Sequence, residues 1–179
     1  MSGANSTLPI ALVRRGFSPT GGAEKFLVRF ATEAQKRGRR VVLVADEPWP
    51  ESARQGLEQK VLPGRSVWSF AQSVEQWRGT WNGLVFSLER LFSADCYRAG
   101  DGVYAAWMRR RAEYDPFLHV LVRKISLKYF HLLALEKRCF SAGHTGAVLV
   151  NSRLVADDIE QMFCYPRESM HLVRNGIPV

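Results

Sequence analysis

A glycine turn between a short apolar run and a stretch of helical spacing constrains this chain more than any other feature. Leu8-Pro9-Ile10-Ala11-Leu12-Val13 has the length and continuity of a buried strand. The segment GFSPTGGAEKF, residues 16–26, follows it. Beyond that, Phe26, Leu27, Phe30, Ala31 and Ala34 recur at helical intervals. Strand, glycine turn and helix start together make a phosphate-binding geometry. Paired glycines let backbone amides approach an anion, and the helix N-terminus adds unpaired N–H groups and partial positive charge. A phosphate-bearing ligand near Gly21 and Gly22 is the first expectation. The spacing fits neither the dinucleotide fingerprint G-x-G-x-x-G nor a nucleotide P-loop. A plain strand-to-helix turn with Gly22 near the N-cap accounts for the same residues.

The pattern repeats along the chain. Residues 40–45, 60–63, 84–87, 94–98, 147–150 and 170–173 read as strands. Helical spacing covers 66–77, 103–111 and 124–141, and Ser152 is a good N-cap for a helix carrying Leu154, Val155, Ile159 and Met162. Strands alternating with helices predict an α/β fold with a doubly wound, mostly parallel, Rossmann-like sheet. Ligands of such sheets bind outside the carboxyl ends of the strands. Gly21-Gly22, Glu89-Arg90, Gly100-Asp101-Gly102, Asn151-Ser152 and Asn175-Gly176 all follow strands, so all five are expected on one rim. No internal repeat, low-complexity tract or second domain stands out, and residues 1–179 read as a single domain.

Charge narrows the partners. The chain has 25 Lys and Arg against 17 Asp and Glu, a formal charge of +8. Basic proteins seek anions. Arg37, Arg39 and Arg40 end the first helix; Arg109-Arg110-Arg111 lie on another. Arg123-Lys124 and Lys128 lie among Phe117, Leu118, Tyr129 and Phe130. These clusters read equally as solvated helix faces and as a basic, aromatic surface for anionic lipid headgroups. Nucleic acid is not expected, because no reader motif is present. Arg14-Arg15, before the glycine turn, can face either phosphate or solvent. No apolar run reaches the roughly 20 residues that span a bilayer, and the polar start MSGANST does not resemble a signal peptide. A cytoplasmic location is the default expectation. Cys96, Cys139 and Cys164 are widely spaced and read as buried reduced thiols. His119, His131, His144 and His171 are scattered, so no metal site is expected. Asp46, after the second strand, is a loose match to the acidic residue of nucleotide-dependent oxidoreductases, but the spaced glycines of that class are missing.

Four segments in order carry a resemblance: FSPTGGAEKFLVRFATEAQKRGRRVVLV (17–44), ADCYRAGDGVYAAWMRRR (94–111), VLVNSRLVADDIEQMF (148–163) and HLVRNGIPV (171–179). Together they resemble the N-terminal, acceptor-side half of family 4 (group 1) glycosyltransferases, which have the two-domain GT-B fold. The middle block is most similar to bacterial enzymes that add a sugar, often glucose, to the lipopolysaccharide inner core. The resemblance implies a retaining hexosyltransferase that moves a sugar from a nucleotide-sugar donor, a UDP-sugar, to a lipopolysaccharide-core or other lipid-linked glycan. It implies a cytoplasmic enzyme, peripheral on the inner face of the membrane. It also implies a donor-binding C-terminal domain that these 179 residues do not contain, and hence no turnover by this domain alone. The competing reading is a non-catalytic module for anions or membrane surfaces.

The resemblance assigns roles by position. Gly21 and Gly22 match the glycine loop bordering the donor diphosphate. Asp101 matches an acidic cleft residue near the acceptor hydroxyl and the donor sugar, where a carboxylate would align the hydroxyl with the anomeric carbon. By composition alone a turn Asp between two glycines is also ordinary. Many family members have a histidine where this chain offers Asp101, which puts the acceptor in question. In this family the departing diphosphate takes the acceptor proton on the same face. Dipoles and cations stabilise the leaving group, and metal is usually unnecessary. Glu89, Arg90 and Arg98 are acceptor-side candidates for a phosphorylated sugar, with an ordinary surface salt bridge as the alternative. Asn151 and Ser152 face the interdomain cleft in relatives, and Asn175 and Gly176 form a turn and hinge.

Overall fold

Parallel strands need residues that are apolar on both faces, because crossover helices cover the sheet above and below. The central runs of this chain meet that demand. In a computed structural model, which describes residues 8–115 and 126–174, seven strands form one parallel sheet in the order β3-β2-β1-β4-β5-β6-β7. The strands are β1 (Ile10–Val13), β2 (Val41–Ala45), β3 (Glu58–Val61), β4 (Leu84–Ser87), β5 (Ala94–Ala99), β6 (Thr145–Val150) and β7 (Met170–Leu172). The helices are α1 (Gly22–Lys36), α2 (Glu51–Arg54), α3 (Val67–Arg78), α4 (Tyr104–Ala112), α5 (Leu127–Cys139) and α6 (Arg153–Phe163).

Alternation along β1 shows the two-sided core. Leu12 packs with Leu27 and Ala31 of α1, whereas Ala11 and Val13 pack with Phe70 and Val74 of α3. A third cluster joins Tyr97 of β5 and Val148 of β6 to Ala106, Phe140 and Ile159. The expected Ser152 cap forms, accepting from Val155 N–H at 3.3 Å, and Ser66 caps α3 in the same way, accepting from Ser69 N–H at 3.1 Å.

Three expectations need correction. The third strand runs over 58–61, two residues earlier than the reading of 60–63. It is the edge strand, and Glu58, Gln59 and Lys60 face little that is apolar, so no hydrophobic pattern marks it; charge on an edge discourages pairing with another chain. The one-turn helix α2 was not anticipated. The thiols are not uniformly buried: Cys139 is buried and Cys96 half-buried, but Cys164 is exposed in a left-handed cap at φ 52°. Burial pushes the Cys96 and Cys139 thiols up to about 11.

From β1 the chain steps to β2 and β3 on one side, then returns to β4 and proceeds away on the other. The sheet therefore reverses direction between β1 and β4. Ligands of doubly wound folds bind in the crevice at this point, outside the carboxyl ends of the strands.

Candidate functional site at the strand switch point

Arg14 leaves the end of β1 at this reversal. Its Nη1 donates to Glu89 Oε1 at 2.8 Å, so the residues after β1 and β4 are tied across the crevice. Its Nε and Nη2 donate to Glu24 Oε1 on α1 at 3.1 and 3.0 Å. Asp101, after β5, adds its charge to the field on Arg14. One guanidinium thus ties carboxylates from two rim segments and lies in the field of a third. Burial alone would lower the Arg14 pKa, but Glu89 and Glu24 hold it above its ordinary value. Glu89 moves up as well. Burial is the largest cause and outweighs Arg14 and the Arg15 N–H, which reaches Glu89 Oε1 at 3.2 Å. Arg14, shared with Glu24, does not offset the burial of Glu89.

Gly21 is the N-cap of α1 and Gly22 its first residue. A Cβ on Gly21 would collide with the carboxylate of Glu24, whereas one on Gly22 would meet nothing within 4 Å. The space expected to clear a ligand phosphate is therefore partly occupied by an internal carboxylate. Glu24 is only 4% exposed, and its Oε2 has no hydrogen-bond partner among the described residues.

The Gly100-Asp101-Gly102 turn is clamped from both sides. Asn151 Nδ2 donates to Gly100 O at 3.0 Å, and Arg90 Nη2 donates to Gly102 O at 2.9 Å. Gly102 needs its freedom, with φ at +73°, and a Cβ on Gly100 would strike Arg98 Nη1. Between them the Asp101 side chain is exposed. Its charge also acts on Arg90 and Arg98. Arg98 lies with its guanidinium 4.0 Å from the centre of the Phe26 ring, and burial pulls its pKa down.

Glu89 and Arg90 do not form a surface pair, the reading that composition favoured. Each turns to a different partner. Arg90 Nε donates to Glu136 Oε1 at 2.9 Å, and Glu136 is fully buried. Glu136 also accepts from the first N–H groups of α4, Tyr104 at 2.7 Å and Ala105 at 2.9 Å. A side chain from α5 thereby caps the helix that follows the Asp101 turn. Burial would lower the Arg90 pKa, but Tyr97, Glu136 and Asp101 hold it up.

The rim therefore brings together Gly21, Gly22, Glu89, Arg90, Arg98, Asp101, Asn151 and Ser152. Asn175 and Gly176 lie outside the described residues, as do Phe117, Leu118, Arg123 and Lys124. Arg14, Glu24 and Glu136 organise the rim, yet pattern reading did not single them out as site residues. Glu24 carries one signal: it stands three residues after a capping position, where Glu commonly reaches back to the helix start. Asp46 is committed to Arg15 Nε and Gly16 N–H, both at 2.7 Å. Among the described residues no group of three or more His, Cys, Asp or Glu side chains could hold a metal ion.

Residues of the basic, aromatic clusters lie on α4 and α5. Arg111 lies over the Trp107 ring at 5.0 Å and pairs with Asp115. Arg110 is engaged in a bidentate pair with Asp158. Trp107 is 44% and Phe130 56% exposed. No helix among the described residues is long and apolar enough to cross a membrane.

Comparison with known proteins agrees with this architecture. The family described as Glycosyltransferase Family 4 matches residues 20–179. Among solved structures, the crystal structure of WaaG, a glycosyltransferase involved in lipopolysaccharide biosynthesis, is similar with a TM-score of 0.76 and 20% sequence identity. The match covers 94% of this chain and 45% of that one, so this chain spans less than half its length. At that identity the likeness is one of fold. No curated protein sequence matches the chain.

Proposed function

The chain belongs to glycosyltransferase family 4, and from that premise we propose that it forms the acceptor-side half of a retaining hexosyltransferase. The enzyme moves a sugar from a UDP-sugar to a lipopolysaccharide-core or other lipid-linked glycan. The observation that carries this reading is the pairing of Glu24 and Glu89 with Arg14 at the switch point, with Asp101 exposed on the turn after β5. Carboxylates accept hydrogen bonds from sugar hydroxyls, and a guanidinium already engaged by two of them is poorly placed to seize a phosphate. These carboxylates suit an acceptor alcohol, and the amides at the start of α1 are left for the diphosphate.

In this reading Asp101, exposed on a clamped turn, accepts a hydrogen bond from the incoming hydroxyl and fixes its direction. The hydroxyl oxygen bonds to the anomeric carbon as the bond to the diphosphate breaks. The hydroxyl proton passes to the departing diphosphate. Unpaired amides at the start of α1 and cations of the donor-binding half stabilise that charge, without a metal. The 45% coverage of the similar structure supports a donor-binding half outside these 179 residues, without which no turnover occurs. The enzyme works in the cytoplasm at the inner membrane face. The test is sugar transfer by the protein with both halves. Asp101→Asn is expected to lower kcat by about two orders of magnitude, within the range for a positioned acid–base group. Unchanged kcat would remove Asp101 from the reaction, and full activity in EDTA is the expected sign of metal independence.

A second reading is a membrane-surface module, favoured by exposed Trp107 beside Arg111 of α4 and by exposed Phe130 on α5. Salt-sensitive sedimentation with anionic vesicles supports it; absence of binding leaves only solvated charge.

A further inference from the structure

Asp101 stands between two glycines, the residue with the least restricted backbone. Local backbone preference therefore does not fix the direction of its carboxylate, and Gly102 lies at φ +73°. The fixing comes from one buried pair. Arg90, on the segment after β4, has only 12% of its side chain exposed, and Glu136 of α5 has 1%. Arg90 Nη2 donates to Gly102 O at 2.9 Å, while its Nε donates to Glu136 Oε1 at 2.9 Å. Glu136 accepts in turn from Tyr104 N–H at 2.7 Å and Ala105 N–H at 2.9 Å. Three backbone groups just after Asp101 thus converge on two side chains from other parts of the chain. On the other side of Asp101, Asn151 Nδ2 holds Gly100 O at 3.0 Å.

Stability does not account for such a pair. Buried ions give up their hydration, and apolar residues of like volume often serve stability as well or better. Apolar residues cannot hold a carbonyl oxygen and two amides at set positions. A guanidinium can donate in two directions at once, and a carboxylate can accept from several donors. Arg90 is largely turned from solvent, with Nε and Nη2 both engaged inside the protein. That favours a role through the turn over direct contact with a ligand.

We propose that Arg90 and Glu136 are positioning residues for sugar transfer: the pair fixes the turn that aims Asp101 at the acceptor hydroxyl, and neither residue touches the sugar. The role rests on the glycosyltransferase reading. The test is Arg90→Lys in the protein with both halves. A lysine amine keeps a positive charge beside Glu136 but ends one bond short of Nη2, so the hold on Gly102 O is lost. The variant is expected to unfold near the parent's midpoint and to speed hydrogen exchange of the amides of residues 99–105. It is expected to lower kcat about tenfold or more with KM for the acceptor unchanged, since a misplacement of about 1 Å can cost about a hundredfold. In an Asp101→Asn background the same substitution is expected to change kcat little further, because it acts through Asp101. A general loss of structure lowers both backgrounds alike. Glu136→Gln leaves Oε1 for Arg90 and Tyr104 but turns an N–H group toward the Ala105 amide. It is expected to follow the same pattern, and it serves should Arg90→Lys not fold. Parent-like kcat in a folded variant, a loss confined to KM, or equal fold losses in the two backgrounds would overturn the proposal. Transfer by the parent that survives these substitutions removes the positioning role alone, whereas no transfer by the parent removes the glycosyltransferase reading. The exchange measurement needs no transfer, and unchanged exchange at residues 99–105 in Arg90→Lys by itself removes the hold on the turn.

Discussion

Arg14 Nη1 stands 2.8 Å from Glu89 Oε1, although the two residues are 75 positions apart in the chain. Their contact closes the crevice between β1 and β4, where the sheet reverses. The Glu89 carboxyl is nonetheless held above the usual carboxylate range, chiefly by burial. A carboxyl whose pKa is higher in the folded than in the unfolded chain stabilises the fold below the unfolded value. That contribution is lost as pH rises through the folded value. Glu89→Gln keeps an acceptor oxygen for Arg14 and Arg15 N–H but removes the ionisation. It is expected to match or exceed the parent in stability at neutral pH and to flatten the dependence above the ordinary Glu range. Thermal unfolding across acid to neutral pH checks this; a neutral-pH loss confined to the variant would show that ionised Glu89 is net stabilising.

Arg90 and Glu136 form the most deeply buried ion pair among the described residues. Removing one partner leaves a charge without water or counter-charge, at a typical cost of about 3–5 kcal/mol. Arg90→Met is expected to fall in that range by urea unfolding. The double change Arg90→Met with Glu136→Leu is expected to cost less than the two single changes summed, because neither charge is then stranded. It will not restore full stability, since α4 also loses its cap from Glu136.

Gly21 and Gly22 are adjacent but not equivalent. Gly21→Ala drives a methyl into the Glu24 carboxylate and is expected to destabilise by about 1–3 kcal/mol, as overpacking does. Combining it with Glu24→Ala is expected to recover part of that loss by removing the obstacle. Gly22→Ala enters open space at the first helical position and is expected to be neutral or stabilising by up to about 1 kcal/mol. Denaturant midpoints of the three variants distinguish the roles; equal losses at Gly21 and Gly22 would contradict them.

Cys164 ends α6 in a left-handed conformation at φ 52°. That conformation favours glycine. Cys164→Gly is expected to stabilise by about 1 kcal/mol, the lower part of the usual left-handed penalty. It also removes the exposed thiol. The check is the unfolding midpoint under reducing conditions; a lower midpoint would mean that the sulfur packs usefully.

Much of the architecture was legible because it follows from periodicity. Continuous apolar runs such as Val41-Val42-Leu43-Val44-Ala45 can be satisfied only by a sheet covered on both faces, and several of the runs alternate with helical patterns. Glu58–Val61 was misplaced because an edge strand with polar residues leaves no such trace. Convergence of the rim was legible for a topological reason: in a parallel sheet every strand ends at the same edge.

The partners at that edge were a different matter. Glu89-Arg90 looked like one unit because its residues are neighbours in the chain. They diverge, Glu89 to Arg14 and Arg90 to Glu136 on a helix 46 positions further on. Local sequence determined the strands, the caps and the set of polar turns, since those depend on side-chain period and backbone preference within a few residues. Tertiary structure alone decided which charge neutralises which. Pairing depends on distances between separate crossovers, and on burial that no single segment can report.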